Sequence, residues 1–241
     1  MTSMELTDPV QRESMRVLRS NLLSALRNLD NPIVLVTSAN EGEGKTSTCV
    51  PLARSFADGG FDVVLVDLDL RHPDAHNYLG LPNEPGASDV LQGRVGLDEA
   101  LQRLSQPSGG GLAFLPTGSP VENATELLDT VRTVSLLNSL AKRADIVLVD
   151  TPPVLPVADT LVVGRLAAGA VLVVEARRTA VPAIQRAKDM LMRNQTRVLG
   201  LVLNRLRSQD DMFTYGYAMV EHFPDKASAP SPNGQEDVTS Q

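Results

Sequence analysis

The sequence predicts an α/β fold in three layers, with a mostly parallel central sheet and helices on both faces. Three observations carry this. Short runs rich in Val, Ile and Leu alternate with helical patterns from residue 13 to residue 203. Several of those runs are apolar throughout, as strands buried on both faces must be. The polar motifs fall at the carboxyl ends of the runs, where open parallel sheets place their sites.

The elements follow in order. Residues 13–29 read as a helix whose stripe of Leu18, Leu22, Ala25 and Leu29 docks on the domain, with Glu13, Arg16 and Arg19 on its solvated face. Residues 33–37 and 63–66 read as strands on either side of a helix over 45–57. An excursion over 79–111 carries Gly and Pro and a short helix around 98–104. Strands at 112–115, 146–149, 170–174 and 198–203 then alternate with helices at 124–142, 156–166 and 181–193. The implied crossovers are right-handed.

Composition sets the outer limits. At 42 % hydrophobic content, a 241-residue chain buries a sizeable core. We expect one domain over 1–223 and a disordered tail over 224–241, where Pro, Ser and polar residues dominate. The longest apolar region, 154–176, is interrupted by Asp159 and Arg165, so no membrane-spanning helix is expected. The single cysteine, Cys49, and an N-terminus without an apolar signal region favour a cytoplasmic chain. A net charge of −7 argues against a general nucleic-acid-binding surface.

The stretch "VLVTSANEGEGKTSTCV" holds the strongest motif. Between a strand and a helix, Glu41, Gly42, Glu43, Gly44, Lys45, Thr46 and Ser47 form a candidate phosphate-binding loop. Its glycines let backbone N–H groups approach phosphate oxygens, and the helix N-terminus that follows favours anions. Lys45 would sit on the β- and γ-phosphates and Thr46 would give its hydroxyl to Mg²⁺. The usual spacing places glycine where Ala39 stands, a one-residue departure.

A second motif, "VVLVDLDLRHP", ends a buried strand with Asp67 and Asp69, whose two-residue spacing puts both carboxylates on one side of an extended chain. Arg71 follows in the same phase. Two such carboxylates repel unless a cation or a shared proton lies between them, which favours a metal–phosphate site over surface aspartates paired with Arg71. Asp69 would serve as a Mg²⁺ ligand, and Asp67 would orient or deprotonate an attacking hydroxyl. A third motif, "DIVLVDTPP", sets Asp150 at another strand end, the position of a Walker B aspartate on the Mg²⁺ shell. Lys45, Asp67, Asp69 and Asp150 are thus the candidate catalytic set, with Thr46, Asp69 and Asp150 at the metal.

As a set, "SANEGEGKTS", "VVLVDLDLRHP" and "IVLVDTPP" resemble the P-loop kinase domain of bacterial tyrosine kinases of the capsular and exopolysaccharide type, relatives of the MinD/ParA ATPases. The resemblance covers about residues 13–206. "ESMRVLRSN", with Glu13, Arg16 and Arg19, is similar to the E-x-x-R-x-x-R helix through which subunits of that family associate into rings. "LPTGSPVENATELL" is similar to the family's L-P-x-G segment. The resemblance implies an autophosphorylating protein-tyrosine kinase that uses ATP and Mg²⁺ and acts on polysaccharide-synthesis proteins. It also implies a homo-oligomer held at the inner face of the membrane by a transmembrane chain-length-determinant or activator protein. Asn204 stands where related P-loop ATPases read the base edge. Family members end in a cluster of several tyrosines, whereas this tail has only Tyr215 and Tyr217 as phosphoacceptors.

A competing reading is a MinD/ParA-like partitioning or localisation ATPase without kinase activity. Such proteins carry a signature lysine early in the loop; here that position is Asn40, followed by Glu41. Eight basic residues between Arg177 and Arg207 stand against Asp189 alone, a stretch that would suit an anionic partner if gathered on one face. The absence of Trp leaves few base-stacking platforms, and nucleic acid is not the expected partner. His72 and His76, spaced four apart beside Asp69 and Asp74, suggest a metal hydrolase, but that reading leaves the phosphate loop unexplained.

Overall fold

The computed structural model describes residues 9–27, 29–104 and 109–206. Tyr215, Tyr217 and the boundary expected at residue 223 lie outside the described residues.

The chain runs α1 (Pro9–Leu26), β1 (Ile33–Ser38), α2 (Lys45–Asp58), β2 (Val63–Asp67), α3 (Ala75–Leu79), α4 (Ala87–Gln92), α5 (Leu97–Ala100), β3 (Gln102–Leu104), β4 (Leu112–Leu115), α6 (Ala124–Leu128), α7 (Val131–Ala141), β5 (Ile146–Asp150), α8 (Asp159–Gly164), β6 (Gly169–Glu175), α9 (Val181–Arg193) and β7 (Val198–Asn204). Seven strands form one sheet in the order β3-β4-β2-β5-β1-β6-β7. All pairings are parallel except β3 with β4. The central strands β1, β2 and β5 are buried along their whole length, which is why they read as unbroken apolar runs rather than alternating ones.

Two cores flank the sheet. On one face Met15, Leu18 and Leu22 of α1 pack with Leu52 and Phe56 of α2. On the other, Leu136, Leu137 and Leu140 of α7 pack with Leu128 and Leu191. The expected docking stripe of the first helix is largely the observed one, although α1 starts at Pro9 and ends at Leu26.

Local chemistry overrides the sequence pattern at three points. The helix expected over 124–142 is two helices, because Thr130 is extended (φ −130°, ψ 157°) and its hydroxyl donates to the Leu127 carbonyl instead of letting the helix run on. The helix expected over 98–104 stops at Ala100, and residues 102–104 pair antiparallel with β4 as an edge strand. The helix expected from 156 begins at Asp159.

Candidate functional site

β1, β2 and β5 are neighbours, so their carboxyl ends bring the three motifs together. The loop after β1 turns through Gly42 (φ 81°) and Gly44 (φ 94°), left-handed conformations that glycine adopts without strain. A Cβ on Gly44 would lie 2.0 Å from Asn204 Nδ2, so a side chain there would be strained by the positive φ and would displace Asn204. Lys45 opens α2 directly behind it.

Lys45 Nζ lies 2.7 Å from Asp69 Oδ2, with both side chains withdrawn from solvent. Asp67 and Asp150 are register partners on β2 and β5. Leu68 N–H donates to the Asp150 carbonyl at 2.9 Å, which stitches the two strand ends together. All three aspartates are buried, so they are not surface aspartates. Nor does Arg71 pair with them. Its Nε and Nη2 donate to the two oxygens of fully buried Asp159 at 2.8 and 3.1 Å, and Nη2 also reaches Thr125 Oγ1.

Burial pushes the Asp67 carboxyl up to about 8; the charge of Asp150 adds to the rise, while donation from the Asp69 and Ala75 N–H groups opposes it. Burial likewise raises Asp150 to about 6 against the pull of Lys45 and the nearby Thr46 hydroxyl. For Lys45, burial favours the neutral amine, yet Asp150, Asp69 and Asp67 together outweigh it and raise its pKa. Among the described residues neither Asp150 oxygen has a hydrogen-bond partner. Two orphaned buried carboxylate oxygens beside a buried threonine hydroxyl are the donor set of a hard cation, so Asp150, Thr46 and Asp69 fit Mg²⁺. Among the described residues no three of His, Cys, Asp and Glu gather as a metal cluster, so the hydrolase reading of His72 and His76 has no such site here. Few protein ligands are what Mg²⁺ needs when phosphates and water complete its shell.

The remaining predicted residues divide. Glu41 and Gly42 are exposed at the loop tip, and Ser47 Oγ turns back to the Gly44 carbonyl at 3.0 Å. The Glu43 side chain points into the protein. Asn204 Nδ2 donates to the Glu43 carbonyl at 3.0 Å, which makes Asn204 a clamp on the loop. On α1, Glu13 and Arg16 are exposed and paired with each other, whereas Arg19 donates to the Ser55 carbonyl near the end of α2. No sequence motif assigns Asp159, Thr125 or Thr179 to the site. Only Asp159 left a signal, as a charge inside an apolar run that burial obliges to pair.

A family model described as ParA, NUBPL iron-transfer P-loop NTPase, matches residues 30–212. The tyrosine-protein kinase YwqD of Bacillus subtilis is 33 % identical over 215 residues, covering 88 % of this chain and 90 % of YwqD. The chain belongs to the bacterial tyrosine-kinase family of P-loop NTPases. The putative tyrosine-protein kinase EpsB of Ralstonia solanacearum is 35 % identical over 85 % of this chain, but this family member spans only 27 % of EpsB. The kinase domain of the Escherichia coli tyrosine kinase ETK superposes with a TM-score of 0.78 at 30 % identity, over 82 % of this chain and 76 % of that one. The Lys45, Asp67, Asp69 and Asp150 constellation therefore sits in a kinase-family domain. No helix among the described residues is long and apolar enough to cross a membrane.

Proposed function

We propose that this chain transfers the γ-phosphoryl group of ATP to tyrosine hydroxyls, on its own tail and on proteins of exopolysaccharide or capsule synthesis. The observation that supports the reading most is the buried carboxylate group at the strand ends, with Asp69 on Lys45 and Asp67 in register with Asp150. Three carboxylates positioned beside Lys45 suit phosphoryl transfer, with carboxylates for the metal shell and one left to meet the acceptor hydroxyl.

In this reading Lys45 and the N–H groups around Gly42 and Gly44 stabilise the phosphates. Bound Mg²⁺ neutralises and orients phosphate oxygens; Asp150, Thr46 and Asp69 would hold it. Asp67, oriented by the N–H groups of Asp69 and Ala75, contacts the acceptor phenol. The phenolic oxygen bonds to the γ-phosphorus, the bond to the ADP oxygen breaks, and the phenolic proton passes to Asp67, whose buried carboxyl would first lose its own proton to the positive charge that a bound metal–nucleotide complex brings. A transmembrane activator, a homo-oligomer built through α1 and a place at the inner membrane face complete the proposal, with Tyr215 and Tyr217 as acceptors in trans.

The basic stretch favours the partitioning ATPase in one respect, since Arg186, Arg193 and Arg197 are exposed. Against it, Arg178 and Arg205 both pair with Glu175. The side chain of Asn40, in the place of the signature lysine, closes on Glu43 at 3.0 Å. Incubation with labelled ATP and Mg²⁺, followed by phosphoamino-acid analysis, separates the two: phosphotyrosine supports the kinase, and hydrolysis stimulated by DNA or anionic lipid without phosphotyrosine supports the switch.

A further inference from the structure

An acidic side chain in the middle of an anion-binding loop opposes the anion unless its charge is used elsewhere. Glu43 is 3 % exposed, and its carboxylate accepts from four donors. Oε2 takes the N–H groups of Ala39 at 2.9 Å and Asn40 at 3.1 Å. Oε1 takes Asn40 Nδ2 at 3.0 Å and Thr179 Oγ1 at 2.7 Å. Thr179, in the connection between β6 and α9, is fixed in turn because its hydroxyl accepts the Glu175 N–H at 2.8 Å.

We infer that Glu43 is a positioning residue for nucleotide: through Thr179 it fastens the phosphate loop to the β6–α9 connection and holds the loop in its binding shape before the phosphates arrive. The backbone geometry shows how. The carboxylate occupies the first two N–H groups of the loop, so the loop start is closed on itself and not available to an anion. Asn204 holds the Glu43 carbonyl from the other side, and a planar trans peptide then points the Gly44 N–H away from Asn204. The loop is thereby braced from two neighbouring strands at once, those that lead into Thr179 and Asn204. Bracing removes the ordering cost that a free loop would incur on binding, so its effect belongs in affinity rather than in the chemical step. The sequence places Glu43 among the cofactor-binding residues; the contacts direct its side chain to the loop and not to the nucleotide.

This inference rests only on nucleotide binding by the phosphate loop, not on tyrosine as acceptor, and a chain that merely hydrolysed ATP would show the same effects. The test uses the full chain and measures the dissociation constant of fluorescent Mg²⁺-ADP together with KM and kcat for ATP consumption. Glu43→Ala should weaken binding roughly tenfold or more, the loss expected when hydrogen bonds to a charged group are broken. Glu43→Gln keeps one acceptor oxygen and should fall between. Thr179→Val should weaken binding roughly threefold, and Thr179→Ser, which restores the hydroxyl, should return it close to wild type. In Thr179→Val the change should appear in KM, with kcat nearly preserved. Should Glu43→Ala fail to fold, the Thr179 pair decides alone. Wild-type binding in Thr179→Val, a loss that Thr179→Ser does not restore, or a loss confined to kcat overturns the inference. A wild-type chain that binds no Mg²⁺-ADP overturns the phosphate-loop reading with it.

Discussion

Asp67 and Asp150 stand in register at the carboxyl ends of two adjacent parallel strands, both buried, with no cation side chain among the described residues directly bonded to either. Two like charges so placed retain a proton or recruit a cation. Lys45 is the positive charge that opposes the rise of Asp150, yet its ion pair is with Asp69. The site is therefore short of positive charge until a metal–nucleotide complex enters.

That shortage sets a pH dependence. Asp67 and Asp150 titrate near 8 and 6 in the fold against an ordinary carboxyl value of 3.8, so the folded chain keeps protons that the unfolded chain has already lost. The sign follows: the stability that these two carboxyls contribute to the nucleotide-free protein is fully present near pH 4 and is lost as pH rises towards about 8. Melting temperatures across that range, without Mg²⁺, check it. Asp67→Asn should remove much of the slope, and an unchanged slope in that variant contradicts the buried-carboxyl account.

The Lys45–Asp69 pair gives an unusual expectation for metal-free nucleotide. Moving Lys45 onto a phosphate leaves Asp69 buried and unpaired unless Mg²⁺ takes its place, and an unpaired buried charge costs several kcal/mol. Asp69→Asn should thus bind ADP in EDTA more tightly than wild type, while losing most of the gain that Mg²⁺ confers. Lys45→Met should lose nucleotide under both conditions. Equal affinity of wild type and Asp69→Asn in EDTA would show that the pair does not restrain Lys45.

Arg71 and Asp159 should behave asymmetrically. Arg71→Ala strands a fully buried carboxylate and should cost about 3 kcal/mol in denaturant unfolding, the lower range for breaking a buried pair. Asp159→Ala leaves a partly exposed guanidinium that water can solvate, so its loss should be clearly smaller. Equal losses would mean that packing, not charge, dominates this contact.

The α1 residues should also separate. Arg19 sits at the C-terminal end of α2, where a cation is favoured, so Arg19→Ala should lower monomer stability by about 0.5–1 kcal/mol. Glu13→Ala with Arg16→Ala removes only a surface pair and should leave the melting temperature unchanged. If α1 carries association, sedimentation should show a reduced oligomer in that double variant, and an unchanged oligomer removes these two residues from the interface.

Much of this was legible in the sequence, for physical reasons that differ by element. The strands ending at Asp67 and Asp150 were readable because burial on both faces demands unbroken apolar runs, and the phosphate loop because its glycines have no substitute at positive φ. What escaped depends on contacts between distant segments. The break at Thr130 turns on one hydroxyl choosing a carbonyl, and β3 is three residues long and exists only because β4 offers an edge. The Glu43–Thr179 bridge joins residues 136 apart, and no local pattern announces it. In sequence Arg71 stands in phase with the aspartates; the structure turns it to Asp159, which a sequence shows only as a charge needing a partner.

The central claim is phosphoryl transfer to tyrosine. The most direct measurement is phosphoamino-acid analysis after incubating the chain with γ-labelled ATP, Mg²⁺ and a glutamate–tyrosine copolymer, beside Lys45→Met and Asp67→Asn. Wild type should give phosphotyrosine on the chain or the copolymer, Lys45→Met none, and Asp67→Asn a strongly lowered rate at unchanged Mg²⁺-ADP affinity. ATP consumed at a wild-type rate with label released only as inorganic phosphate would contradict the central claim.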